Sequence, residues 1–228
     1  MGGGGFSGDD PQTGRLIDDF ALGLTGQDTP RVCFIPTAGG DTESYIELFH
    51  NAFGGGRARP SHLRLFQREV VDLESFLLGQ HAICVGGGNT ANMLAVWRVH
   101  GVDRILAEAW RRDIVLFGLS AGGLCWFEGG STDSFGPLAP LRDGLGFLPG
   151  SFCPHYDGEP ERRPTYHRFV AEGLPAGYAA DDQAALHFRG RELAEAVAAH
   201  PDAAAYRVSL SGGRVEEQRL PIRALFDQ

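Results

Sequence analysis

The chain has 228 residues, 43% of them hydrophobic, and carries 29 Asp+Glu against 20 Lys+Arg for a net charge of −9. The length can bury a full core as one α/β domain, 1–228, and the scattered arginines, without a basic stripe among aromatics, exclude nucleic acid as a natural partner. No apolar run approaches the roughly 20 residues that span a bilayer, and the opening Met1-Gly2-Gly3-Gly4-Gly5 has neither part of a signal peptide, so no membrane partner is expected and the chain reads as cytoplasmic. In chain order, short apolar runs at 31–36, 62–66, 82–85 and 113–117 read as buried parallel strands. Amphipathic stretches at 41–53, 72–78 and 89–112 lie between them, the last interrupted at Gly101, which stops one helix before Asp103 opens the next. Beyond about residue 188 the rhythm changes to close-set strands with turns at Arg189-Gly190-Arg191 and Ser211-Gly212-Gly213. This predicts a mostly parallel sheet with helices on both faces and an antiparallel C-terminal edge.

Cys33, Cys84, Cys125 and Cys153 are widely spaced, the first two inside apolar strands, so all four read as reduced and structural. No Cys-x-x-Cys pair or His-x-x-x-His spacing occurs, so the sequence calls for no metal and no cofactor.

In such sheets ligands collect beyond the carboxyl ends of the strands. Three of the loops there are unusual: Pro36-Thr37-Ala38-Gly39-Gly40-Asp41, Gly86-Gly87-Gly88-Asn89-Thr90, and Gly118-Leu119-Ser120-Ala121-Gly122. The third has the pattern of a nucleophile elbow, a sharp strand-to-helix turn that lifts a serine oxygen out of the sheet. Ser120 is thus the candidate nucleophile, set against the plainer reading of a tight structural turn. In the second loop Gly87 and Gly88 let backbone amides face a ligand, and Asn89 or Thr90 caps the following helix, a candidate oxyanion cradle.

A serine hydroxyl needs a histidine to take its proton, and that histidine needs an acceptor on its other nitrogen. His155, in Cys153-Pro154-His155-Tyr156-Asp157, is the best placed. The other seven histidines fall in helix or strand patterns or at surface turns. Asp181 and Asp182, two carboxylates between apolar stretches, are candidates to orient it, with Asp133 and Asp157 as competitors. The order serine, histidine, acid differs from the serine, acid, histidine order of α/β-hydrolases and argues against an ordinary esterase.

With these motifs in place the chain resembles the peptidase E family, aspartyl dipeptidases related to cyanophycinase. The likeness runs from Gly2 to about Tyr206 and includes Gly2-Gly3-Gly4-Gly5-Phe6, Phe34-Ile35-Pro36-Thr37-Ala38 and Ala180-Asp181-Asp182 besides the three segments above around Gly88, Ser120 and His155. The resemblance implies a class I glutamine amidotransferase-like, flavodoxin-like fold. It also implies a cofactor-free serine peptidase that removes N-terminal aspartate from short peptides, with Ser120 as nucleophile, His155 as base and the amides of Gly88 and Ala121 as oxyanion hole. The family's third member is a Glu or Asp in a strand-end turn after the histidine, which leaves Asp181 and Asp182 both open. Arg162-Arg163 offers a fork for a substrate carboxylate, with Arg163 the nominated ligand and a solvated basic pair the alternative. Relatives carry a short apolar strand just before the glycine-rich start, so either that strand is absent here or the chain's true start lies upstream of Met1. The other expectations are a non-catalytic small-molecule binder of the same fold, a carboxypeptidase, or a cyanophycinase-like enzyme. A homodimer contact through Leu225 and Phe226 is expected as well.

Overall fold

The computed structural model describes residues 1–8 and 11–226. After a 3₁₀ turn at Gly5–Ser7 the chain runs through α1 (Pro11–Gly23), β1 (Arg31–Ile35), α2 (Glu43–Phe53), β2 (Arg59–His62), α3 (Leu73–Leu78), β3 (Ala82–Val85), α4 (Thr90–His100), α5 (Val102–Arg111), β4 (Val115–Gly118) and α6 (Ala121–Leu124). There follow β5 (Phe127–Thr132), β6 (Ala139–Leu141), β7 (Leu148–Cys153), α7 (Arg162–Ala171), β8 (Gly177–Ala180), β9 (Ala184–Arg189), β10 (Glu192–Ala198), β11 (Ala205–Ser211), β12 (Arg214–Arg219) and β13 (Ile222–Ala224).

The first half forms a parallel four-stranded sheet in the order β2-β1-β3-β4. Its central strands are apolar throughout because helices cover both faces. Cys33, Ile35, Ile83 and Val85 face Met93, Leu94 and Trp97 of α4 and Leu106 of α5. The alternate residues Val32, Phe34, Ala82 and Cys84 face Phe6, Leu22, Phe49 and Phe53. Phe49 stacks between Phe34 and Phe53 at centroid distances of 4.7 and 4.5 Å, and Phe6 meets all three edge-on. The period of two along each strand is thus what makes one sheet serve two cores.

The second half holds a mixed six-stranded sheet, β12-β11-β8-β7-β5-β6, in which β5, β7 and β8 are parallel, and a three-stranded sheet, β13-β10-β9. The antiparallel hairpins predicted for the C-terminal part are β9–β10 and β11–β12. Where the sequence suggested a single sheet the described residues form three, and the bounds of strands β5 to β8 were not legible in the sequence. β5 and β7 are rich in small residues, Gly129, Gly130, Gly150 and Ser151, and lack the continuous branched run that marks a buried strand. The expected strand at 62–66 lies earlier, at β2: Arg59–His62 pair with Arg31–Phe34, Leu63 N makes a last bond to Phe34 O (2.8 Å), and the amides of Leu65 and Phe66 turn instead to the Asp41 carboxylate at 2.6 and 2.9 Å. Gly101, at φ 74°, ends α4 as expected.

The opening glycines do not float at a sheet edge. Met1 O accepts the Ser120 amide (3.3 Å), Gly2 N donates to Ala184 O (3.0 Å), Gly3 O accepts from Gln183 N (3.2 Å), and Gly3 bridges Asp182. Below Met1, β4 and β9 face each other across an apolar cleft of about 720 Å³, bordered by Leu116, Phe117, Leu186 and Phe188 and floored by Trp126 and Phe152. Leu225, expected on the surface, is buried against Ile17, Ala185, Val197 and Ala199, because the end of β13 folds back onto α1; only Phe226 remains partly exposed. All four cysteines are buried free thiols. No helix among the described residues is long and apolar enough to cross a membrane.

Candidate active site

The elbow after β4 is sharply bent. Ser120 has φ 53° and ψ −115°, a region a non-glycine residue enters at a cost of about 1–3 kcal/mol. The flanking glycines make the bend possible. A Cβ on Gly118 would lie 2.7 Å from the Val85 carbonyl oxygen, and one on Gly122 would fall on the same atom, so only hydrogen lets the elbow pack back against β3. The Ser120 carbonyl accepts from Gly123 and Leu124 at 2.9 and 2.8 Å and so starts α6. Its hydroxyl makes no hydrogen bond among the described residues, to His155 or to any other group.

The glycine loop after β3 lies alongside. A Cβ on Gly87 would be 3.4 Å from Ser120 Cβ. Gly88 has φ 132°, and a Cβ there would fall on the Ala38 carbonyl oxygen. The amides of Gly88 and Ala121 are unclaimed by any backbone carbonyl among the described residues, which leaves two donors beside the serine for developing negative charge. Two predicted members are instead occupied. Gly87 N donates to the Tyr45 hydroxyl at 3.0 Å, and Asn89 caps α4, accepting from Asn92 N at 2.9 Å while its amide holds Ser134 O at 2.9 Å. The Gly87 amide and the Asn89 side chain are thus each held by groups of the fold, Tyr45 for the first and Asn92 and Ser134 for the second.

His155 follows β7 with φ 51°, and its Nδ1 lies 2.6 Å from Asp182 Oδ1. With Asp182 ionised, Nδ1 carries the proton and donates it, leaving Nε2 as the acceptor a serine needs. The two neighbouring aspartates diverge. Asp181 is turned inward, 4% exposed, and accepts from Ala204 N at 2.9 Å. Its pKa is pushed up to about 6, first by burial and then by the Asp157 charge. Asp157 does not reach the imidazole: it accepts the Asp182 amide at 2.9 Å. Asp133 sits in a turn closed by Gly136 N to its carbonyl, with its carboxylate 3.3 Å from Arg162.

Arg163 is not a free fork. Its guanidinium is bound to both oxygens of Glu217 and lies over the rings of Tyr156 and Tyr206, so its charge is neutralised within the fold. Arg162 is buried and paired with Glu159 and Asp133. Sequence reasoning missed Gly3 as a site residue. A Cβ there would be 2.6 Å from His155 Cε1, so the glycine start lets backbone pass over the imidazole. It also missed Tyr45, which closes the Gly87 amide; a tyrosine inside an apolar helix face reads as core. No group of three or more His, Cys, Asp or Glu with metal-binding geometry occurs among the described residues.

The sequence profile of peptidase family S51 matches residues 1–196. An uncharacterised peptidase of Bacillus subtilis strain 168, YgaJ, is 48% identical over 226 residues, which cover 99% of this chain and 97% of that protein. Among solved structures, a peptidase from an acI-B1 actinobacterium superposes with a TM-score of 0.65 at 18% identity, covering 96% of this chain and 92% of the other. A candidate peptidase E protein of Listeria monocytogenes EGD-e gives 0.56 at 19% identity, covering 91% and 95%. At those identities the structures show a shared fold.

Proposed function

The chain belongs to peptidase family S51 and is a serine-type peptidase, and on that premise we propose that it removes N-terminal aspartate from short peptides through an acyl-enzyme on Ser120. The observation that supports the site reading is the 2.6 Å contact between His155 Nδ1 and Asp182 beside Gly3, two residues from the Met1 carbonyl that accepts the Ser120 amide. Ser120 Oγ attacks the scissile carbonyl carbon while His155 Nε2 takes its proton, and Asp182 stabilises the imidazolium that results. The amides of Gly88 and Ala121 bind the oxyanion. On collapse the C–N bond breaks and the leaving amine takes the proton from His155. A water then gives its proton to His155 and attacks the ester, and release of the carboxylate returns the proton to Ser120.

The aspartate preference comes from the resemblance to peptidase E. The exopeptidase part has support in the charge of the rim. Gly158 lies against Asp182, and the next residue, Glu159, shares Arg162 with Asp133, so with Asp157 the carboxylates outnumber the guanidinium on this rim, which favours a substrate's ammonium group. The four free buried thiols suit a reducing, cytoplasmic setting. The test is a peptide panel that varies the first residue and blocks each terminus in turn. Release of aspartate from Asp-x dipeptides, lost on N-terminal blocking and in Ser120→Ala, is the expected result. Cleavage only of N-blocked peptides would overturn the exopeptidase reading, and a Ser120→Ala protein as fast as wild type would overturn the nucleophile.

A further inference from the structure

The turn that carries His155 is braced from behind by groups that come from the far end of the chain. Tyr156, the next residue, is 2% exposed. Its hydroxyl donates to Glu217 Oε2 at 2.5 Å and lies 2.9 Å from His167 Nε2. Glu217, on β12, is also 2.9 Å from His167 Nε2 and accepts from Arg163 Nε at 3.0 Å, with a second ion-pair contact to Arg163 Nη2. The guanidinium carbon of Arg163 sits 5.3 Å from the ring centre of Tyr156 and 5.0 Å from that of Tyr206. Burial opposes the Glu217 charge, yet the hydrogen bonds from Tyr156, Arg163 and His167 hold the carboxylate below its ordinary range. Glu217 lies on the β11–β12 hairpin, beyond the 1–196 segment that the family profile matches.

The mechanical link to the imidazole is short. One peptide bond separates Tyr156 from His155, whose positive φ is a conformation that relaxes unless its neighbours over-determine it. Tyr156 N donates to Ala180 O at 3.1 Å, and Asp157 on the other side accepts the Asp182 amide. His155 and Asp157 are therefore both tied to Asp182, and Tyr156 is tied to β8, α7 and β12. We propose that Glu217 is a positioning residue: through the buried Tyr156 hydroxyl it fixes the His155 turn so that the imidazole stays aligned between Asp182 and Ser120. This rests on the site reading given above.

The test compares Glu217→Ala, Glu217→Gln and Tyr156→Phe, the last removing a single oxygen. Three quantities are read: kcat and KM on a dipeptide the wild type cleaves, the low-field proton NMR signal of the His155–Asp182 hydrogen bond, and Tm. Expected is a fall in kcat of about tenfold to 100-fold for Glu217→Ala and Tyr156→Phe, with KM within about twofold. The NMR signal broadens well below Tm, Glu217→Gln recovers most of both, and the Glu217→Ala/Tyr156→Phe pair is no worse than the stronger single change. An unaltered NMR signal and kcat in folded protein, or a kcat that drops only with the folded fraction, would overturn the proposal. If Glu217→Ala does not fold, Tyr156→Phe decides. The NMR signal needs no substrate, so the brace can be judged even if Ser120→Ala leaves activity intact and the peptidase site lies elsewhere.

Discussion

Asp181 and Asp182 are adjacent carboxylates with opposite expected behaviour. Replacing Asp182 with Asn keeps the shape but removes the negative charge that His155 Nδ1–H meets at 2.6 Å. The new amide can present N–H to Nδ1, which moves the imidazole proton to Nε2 and leaves no acceptor for the serine. The expected loss is about 10³–10⁴ in kcat, equivalent to about 4–5.5 kcal/mol of barrier. Folding stability should change by less than about 1 kcal/mol, because the Asp182 side chain is 44% exposed. Asp181→Asn should do the reverse. Its carboxyl, raised to about 6 from an ordinary 3.8, holds its proton more tightly in the fold than in the unfolded chain. That contribution favours the fold below about pH 4 and is lost as pH rises through 6, so Asn should gain at most about 3 kcal/mol at pH 8 and little at pH 4. Asp-x hydrolysis measures the first effect, and urea unfolding at pH 4, 6 and 8 the second. An Asp182→Asn enzyme within threefold of wild type, or an Asp181→Asn enzyme as crippled as Asp182→Asn, would refute the assignment.

The paired glycines give a similar contrast. Gly88→Ala puts a methyl on the Ala38 carbonyl at a positive φ and should displace one oxyanion amide, lowering kcat by about 10²–10³. Gly87→Ala, whose Cβ would lie 3.1 Å from Leu119 Cδ1 and whose amide already serves Tyr45, should cost less than tenfold, and equal losses in the two would deny Gly88 its role. Asp18 is 1% exposed, neither of its carboxylate oxygens has a hydrogen-bond partner among the described residues, and burial pushes its pKa up to about 8. Stability should therefore fall as pH rises from about 4 through 8, and Asp18→Asn should flatten that slope in thermal melts; an unchanged slope would show the carboxyl is solvated. Phe49→Ala, in the ring stack under β1, should cost about 3–5 kcal/mol by urea unfolding, and a cost below about 1 would mean the stack is loosely packed.

Much of the first half was legible in the sequence because continuous apolar runs and 3.6-residue periods report burial directly. β1 and β3 fall where Val32-Cys33-Phe34-Ile35 and Ala82-Ile83-Cys84-Val85 predict them, and Gly101 separates α4 from α5. In the second half the hairpins β9–β10 and β11–β12 were legible from their turns, but β5, β7 and β8 were not, since they use Gly, Ser and Ala where neighbouring backbones approach closely. A Cβ on Gly130 would fall on the Phe152 carbonyl, and one on Gly177 on that of Ser151. Small residues chosen for clearance carry no strand signature.

At the site the division is similar. The sequence carried the residue types expected for acyl transfer and their order, Gly88, Ser120, His155 and an aspartate at 181 or 182, because a strained elbow and a glycine loop need particular residues at particular spacings. It could not choose between the aspartates, since residues one apart have the same composition signal while the backbone sends their side chains in opposite directions. Only the tertiary structure turned Asp182 to the imidazole and Asp181 to Ala204, closed the Gly87 amide with Tyr45, and spent the Arg163 fork on Glu217. Each of those outcomes depends on a partner 23 or more residues away in the chain, and local pattern carries no information about which distant group will arrive.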